Sequence, residues 1–316
     1  MIEILSTGAL NSVQDLGRKG YLNIGVGQSG AMDRLALSTA NIMVGNSTDF
    51  AGLEIVLFPA RLRFITDSRF ALTGADALAH LDGFELPPNW ACEGKAGQTL
   101  VIQAPRRGAR VYLALAGGID VPVLLGSRST DLKSGFGGFE GRGLSRGDQL
   151  ALNLPRAKST GSFGLVGVRE LPSRTTETTI RVLPAAQYED FEEEARERFF
   201  SEPWQVTQET NRMGMRLSGS QLTLRSPLEL LSHGILPGTI QVPPSGQPII
   251  QMAEANTCGG YPKIANVIEA DLSLLAQAPV GSKLRFLEID LAVAINAQKQ
   301  QELELDELER KLALTL

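Results

Sequence analysis

Apolar positions in this chain recur mostly in short runs closed off by glycine, a pattern that favours strands over helices. One set runs from Leu72-Thr73-Gly74 to Leu81-Asp82-Gly83, through Ala96-Gly97-Gln98-Thr99-Leu100-Val101-Ile102, to Gly108-Ala109-Arg110-Val111-Tyr112-Leu113-Ala114-Leu115-Ala116-Gly117-Gly118. A second set runs from Leu217-Ser218-Gly219 through Pro237-Gly238-Thr239-Ile240-Gln241-Val242 to Gly246-Gln247-Pro248-Ile249-Ile250-Gln251-Met252-Ala253 and the diglycine Gly259-Gly260. Each set is a pair of glycine-bounded strand runs ending in Gly-Gly, which predicts two related β-barrels in tandem.

Helical spacing is confined to three places. Asp33 to Val44 carries apolar Leu35, Ala36, Ala40, Ile42 and Met43 and stops at Gly45-Asn46, with Ser29 or Asp33 available as a cap. Between 188 and 200, Tyr188, Phe191, Ala195 and Phe199 recur three and four residues apart, with Glu192–Arg196 and Glu194–Arg198 as i,i+4 pairs on the other side. From Leu291 to Leu316, Leu305, Leu308 and Leu312 share one face and the acidic residues solvate the other. The Ser-, Gly-, Thr- and Pro-rich stretch from Leu154 to Thr179 marks a boundary, giving domains over 1–175 and 176–290 and a terminal helix over 291–316.

Composition narrows the class without changing that picture. The 33 glycines exceed the needs of an all-helical protein and fit many turns between short strands. A formal charge of −5 lacks the basic excess of a general nucleic-acid binder. Cys92 and Cys258, the only cysteines, are too few for a disulfide scaffold and fit a reducing compartment. Met1-Ile2-Glu3-Ile4 carries no basic leader, and no apolar run approaches the roughly 18 residues of a bilayer span. A soluble cytoplasmic protein is expected.

Four loops hold residues suited to chemistry. Asp15-Leu16-Gly17-Arg18 sets a carboxylate and a guanidinium three residues apart, as a structural ion pair or as part of a site. Gly126-Ser127-Arg128-Ser129-Thr130-Asp131 and Gly135-Phe136-Gly137-Gly138-Phe139-Glu140-Gly141-Arg142-Gly143 suit tight turns or an anion nest in which Gly137 and Gly138 give amides and Arg128 a counter-charge. No Gly-Lys-Ser/Thr follows, so this is not a Walker loop. Asn211-Arg212-Met213-Gly214-Met215-Arg216 is the third, and Asn256-Thr257-Cys258-Gly259-Gly260-Tyr261-Pro262-Lys263-Ile264 the fourth, placing the amides of Gly259 and Gly260 and one ammonium at a strand end. Cys258 is expected to be a buried, inert thiol, since His80 and His233 are not local to it, and His233 reads as a loop hydrogen-bonder. No Cys/His cluster has zinc spacing.

Together with Val13-Gln14-Asp15-Leu16-Gly17-Arg18, Gly117-Gly118-Ile119-Asp120-Val121-Pro122, Gly238-Thr239-Ile240-Gln241-Val242-Pro243 and Ile268-Glu269-Ala270-Asp271, these blocks make the chain resemble the KipA-type biotin-dependent carboxyltransferase family over nearly its whole length. The resemblance implies a mainly β protein with a few helices, built as tandem cyclophilin-like β-barrel domains that associate with a KipI-like subunit. Glu229-Leu230-Leu231-Ser232-His233-Gly234, leading into Leu236-Pro237-Gly238, is similar to the 5-oxoprolinase branch. That branch implies a three-part assembly with a KipI-like and a LamB/YcsF-like subunit, which uses ATP and Mg to open 5-oxo-L-proline to L-glutamate, and a chain inactive alone. Two other readings accompany the family: the carboxyltransferase component of a urea carboxylase or allophanate-type system, and a regulatory protein that binds a KipI-like kinase inhibitor. The Met-Lys hairpin of a biotin carrier is missing, so no biotin is expected on this chain. The matching blocks nominate Asp15, Arg18, Asn211, Arg212, Gln241 and Lys263 as catalytic residues converging at one cleft. Arg128, Gly137, Gly138, Gly259 and Gly260 are the expected anion- or cofactor-holding positions.

Overall fold

A computed structural model describes residues 1–154, 161–166 and 169–313. The chain forms two compact units, one from Met1–Lys19, Ser29–Leu171 and Leu303–Leu316, the other from Gly20–Gln28 and Pro172–Glu302. The main division thus falls at Leu171/Pro172. The expected scheme of two continuous domains and a separate tail omits two features: Gly20–Gln28 belongs with the second unit, and the terminal helix is shared between the units. Part of the boundary segment, 155–160 and 167–168, lies outside the described residues.

In the first unit a ten-stranded antiparallel sheet is organised around two long strands, Ser68–Leu81 and Thr99–Leu115. They pair from Phe70↔Leu115 to Leu81↔Leu100, with register shifts near Gly74, Asp76 and Ala77 that bend the ribbon. Alternate residues turn Phe70, Leu72, Leu100, Ile102, Leu113 and Leu115 into one core with Phe64, whose ring lies 5.2 Å from that of Phe70. Helix α1, Arg34–Met43, is capped by Asp33, whose carboxylate accepts from Ala36 N at 3.0 Å. Its inner face, Leu37, Ala40 and Met43, packs on Ala71, Tyr112 and Ala114.

The second unit closes into a seven-stranded barrel: Glu177–Pro184, Lys263–Val267, Thr239–Gln241, Ile249–Gln251, Gly214–Ser218, Trp204–Val206 and Lys283–Glu288, joined back to the first strand by a parallel pair. Ile180, Met215, Ile240, Ile250, Ala265 and Leu284 are wholly buried and fill it. Helix α2, Glu193–Ser201, stacks Phe199 on Phe286 at 4.5 Å, and Trp204 Nε1 donates to Phe199 O at 3.0 Å. The expected helix over 188–200 is broken: Tyr188–Asp190 is a 3-10 turn, Phe191 is extended, and Arg196 pairs with Glu189 at 2.5 Å rather than with Glu192. Helix α3, Glu269–Gln277, is not among the helices expected from the sequence. Its buried Asp271 breaks the apolar stripe and holds Arg181 by two parallel contacts, Nη2 to Oδ1 at 2.6 Å and Nε to Oδ2 at 3.1 Å. Helix α4 runs Leu291–Ala313, and no helix among the described residues is long and apolar enough to cross a membrane.

One glycine turn of the first unit tests packing directly. Gly138 has φ 53°, and a Cβ built on it would lie 1.9 Å from Thr130 Oγ1, whereas Gly135, at φ 70°, faces open space. Gly135→Ala should therefore lose only the left-handed backbone preference, about 1–2 kcal/mol. Gly138→Ala adds overpacking of about 1–3 kcal/mol. Equal denaturation midpoints for the two variants would contradict this packing.

Candidate functional site

The polar residues of the second unit are gathered by one irregularity in the barrel. Thr239 pairs with Asn266 and Ile240 with Ala265, but Gln241 pairs with Lys263, so Ile264 is skipped. An unbroken ladder would set Ile264 opposite Gln241 and turn Lys263 to the face of Ile240, inside the barrel. The bulge instead brings Lys263 to the face carrying Gln241, and Gln251 lies beside them, its Nε2 donating to Gln241 Oε1 at 3.0 Å. Gln241 Nε2 in turn donates to Tyr261 O at 3.3 Å.

A short ribbon, His233–Gly234 against Cys258–Gly259, lies over these side chains. A Cβ on Gly259 would lie 2.8 Å from Gln241 Nε2, so a larger residue there would displace the end of the Gln241 side chain. Lys263 Nζ reaches the ribbon at Gly234 O, 3.5 Å away. Burial holds its ammonium below the ordinary lysine range, and no carboxylate among the described residues offsets that cost. The site thus holds a partly desolvated cation with room in its hydrogen-bonding for an anion.

Arg212 and Asn211 serve the adjoining turn. Arg212 Nε meets Glu254 Oε1 at 2.6 Å, both side chains being more than nine-tenths buried, and Glu254 N donates to Arg212 O. This cation is matched by a carboxylate within the protein, and the pair ties residue 212 to residue 254. Asn211 Oδ1 accepts from Met213 N at 2.8 Å and Gly214 N at 3.2 Å, which closes the turn before strand Gly214–Ser218.

Asp15 and Arg18 belong to a cluster of the first unit. Asp15 accepts from Gly17 N at 2.8 Å, Ser127 Oγ at 2.7 Å, Arg128 N at 2.5 Å and Ser129 Oγ at 2.5 Å. Arg18 is almost wholly buried, donates to Ser129 O and lies 4.4 Å from the centre of the Phe136 ring. Arg128 Nε donates to Val121 O at 3.1 Å. Gly137 admits Arg18 Nη2, which would sit 2.2 Å from an added Cβ, as Gly138 admits Thr130. Protein atoms therefore fill the loop where phosphate oxygens would need to lie. Among the described residues, no three of His, Cys, Asp and Glu are gathered for a metal. Residues of this chain do not fit a Mg-nucleotide at that loop. Gly260 likewise backs onto Leu230 O, 3.0 Å from an added Cβ.

The first unit also buries a network that no motif signalled. Tyr112 Oη donates to Glu54 Oε2 at 2.6 Å and accepts from Asp33 N at 2.8 Å, while Asp33 pairs with Arg169. Burial first, and Glu54 and Asp33 next, push the Tyr112 hydroxyl well above its ordinary range, so it acts as a fixed donor. A 320 Å³ cavity beside it is lined by Leu35, Thr73, Leu165, Arg169 and Leu308.

One expectation about the ribbon needs correction. Cys258 is exposed, not buried. It pairs with Gly234 and therefore leaves the opposite face from His233, so the two form no nucleophile–base couple. His233 shares the face of Gly259 and Gln241. Its only sequence signal is its place as a polar residue ahead of a strand of the site. Cys92, by contrast, is buried, and desolvation pushes its thiol up to about 11.

Residues 24–288 match the family of the carboxyltransferase domain, subdomain A and B. The chain is 43% identical over 312 residues to a 5-oxoprolinase subunit of Escherichia coli (strain K12), covering 99% of both chains. It is 40% identical to the protein of the same name from Haemophilus influenzae, covering 98% of both. The crystal structure of the Kluyveromyces lactis urea carboxylase superposes with a TM-score of 0.89 at 32% identity, over 97% of this chain and 29% of that one. Matched along most of its length, with the barrel and its bulged strand inside the matched region, the chain belongs to the family of the carboxyltransferase domain, subdomain A and B.

Proposed function

We propose that this chain is a subunit of an ATP-dependent 5-oxoprolinase, opening 5-oxo-L-proline to L-glutamate together with a KipI-like and a LamB/YcsF-like subunit. End-to-end identity with two bacterial 5-oxoprolinase subunits supports the reading. The observation that carries the chemistry is the Lys263 ammonium, partly desolvated beside the ribbon and matched by no carboxylate among the described residues. Cleaving a lactam puts negative charge on the carbonyl oxygen, and the substrate brings a carboxylate of its own. A partly desolvated cation stabilises either charge more than the same cation does in water. Gln241 and Gln251 are hydrogen-bonded to each other and keep the crevice wall in register. ATP and Mg are used by the complex as a whole. Carboxyl transfer to or from an amide nitrogen is the second reading, favoured by the likeness to urea carboxylase, and it asks the same of Lys263.

In the reconstituted complex, Lys263→Ala should lower turnover about 10²–10³-fold, the loss typical of one transition-state donor. Its melting temperature should hold, because the side chain makes one long contact. Near-normal rates in a well-assembled complex would remove Lys263 from the chemistry.

The alkaline limb gives a second check. Since the folded-state pKa of Lys263 lies below the unfolded value, rising pH discharges it earlier than an ordinary lysine, and anion attraction fades as it does. The unfolded chain then binds the extra proton, so this group favours folding more as pH rises. The rate should fall at a pH below the ordinary lysine range, and Lys263→Arg should move that fall to higher pH. An identical alkaline limb in Lys263→Arg would contradict the assignment.

A further inference from the structure

We infer that His233 Nε2 is the acceptor for the amide N–H of the bound substrate and so selects a lactam over its ring-oxygen analogue. The inference rests on the 5-oxoprolinase reading for the identity of that amide.

The tautomer follows from the ring's one visible partner. His233 Nδ1 lies 2.8 Å from Leu231 O, and a carbonyl oxygen only accepts, so Nδ1 carries the proton. In the neutral ring Nε2 is then a lone pair. That atom is shielded from solvent and has no hydrogen-bond partner among the described residues. Buried polar atoms are nearly always paired, so a buried acceptor without a donor marks a place where something else supplies one.

No neighbouring donor is hydrogen-bonded to it: Gln241 Nε2 donates to Tyr261 O, Gln251 Nε2 to Gln241 Oε1, and Lys263 Nζ to Gly234 O. The pairing His233↔Gly259 puts the imidazole on the ribbon face that meets Gln241, and Lys263 touches the next residue of the same strand. The ribbon and the barrel face beneath it therefore offer one cation and one lone pair. 5-Oxo-L-proline presents their complements, a carboxylate and carbonyl oxygen for the cation and a single N–H for the lone pair. Cys258, on the other ribbon face, does not compete.

The test compares the lactam with the lactone that replaces its N–H by oxygen, 5-oxotetrahydrofuran-2-carboxylate. In the reconstituted complex, kcat/KM is measured for 5-oxo-L-proline and Ki for the lactone, in wild type, His233→Leu and His233→Gln. His233→Leu should lower kcat/KM for the lactam about 10-fold to 100-fold, the effect of leaving one buried N–H unpaired, while Ki for the lactone stays unchanged. His233→Gln, which keeps an acceptor oxygen at that reach, should recover part of the loss. A His233→Leu complex that weakens lactam and lactone equally would overturn the inference and leave the ring a structural support. If His233→Leu does not assemble, His233→Asn, whose shorter amide can keep the Leu231 contact but has no atom at the position of Nε2, carries the same comparison. A wild-type complex that turns over no 5-oxo-L-proline would instead overturn the proposed function.

Discussion

One skipped residue in the barrel ladder decides where a positive charge stands. Opposite Gln241 the strand Lys263–Val267 omits Ile264 from pairing, and the omission exchanges the faces of its first two residues. Ile264 stays wholly buried, and Lys263 leaves the apolar interior that an unbroken ladder would give it. A lysine sealed among Ile240, Ile250 and Met215 would have to lose its proton or disrupt the barrel. Held by the bulge beneath a glycine ribbon, it keeps the charge at moderate desolvation, the condition under which an ammonium discriminates an anion from water.

The same economy of space governs the first unit, with a different outcome. There the polar groups satisfy one another: Asp15 accepts from four donors on two loops, and Arg18 fills the gap that Gly137 leaves. Such a network fixes loop geometry because any member left unpaired would remain buried and unsolvated. Arg212 with Glu254 repeats this logic in the second unit. Arg18 and Arg212 are met by acceptors within the protein, whereas Lys263 makes one long contact to a carbonyl oxygen.

Much of the fold is legible in the sequence where the signal is local. Asp33 caps a helix that stops before Gly45-Asn46, and the glycine-bounded runs become strands. Non-local pairing hides the rest. Nothing near residue 233 announces that it will lie against residue 259, and helix α3 is masked by Asp271, a buried carboxylate whose partner stands 90 residues earlier. The family blocks marked Asp15, Arg18 and Lys263 alike, since a motif records that a residue is placed with care. Only the partners show whether the placement serves the loop or a ligand.

The central claim is that Lys263 is an ammonium awaiting an anion, and its own titration tests this most directly. With lysine labelled at Cε by ¹³C and Lys263→Arg used to assign the resonance, the account predicts a ligand-free pKa below the ordinary lysine range in the assembled complex. Adding 5-oxo-L-proline should move that pKa upward, because a bound carboxylate or carbonyl oxygen favours the charged form. A Lys263 resonance that titrates as an ordinary exposed lysine, unmoved by the substrate, would contradict the account.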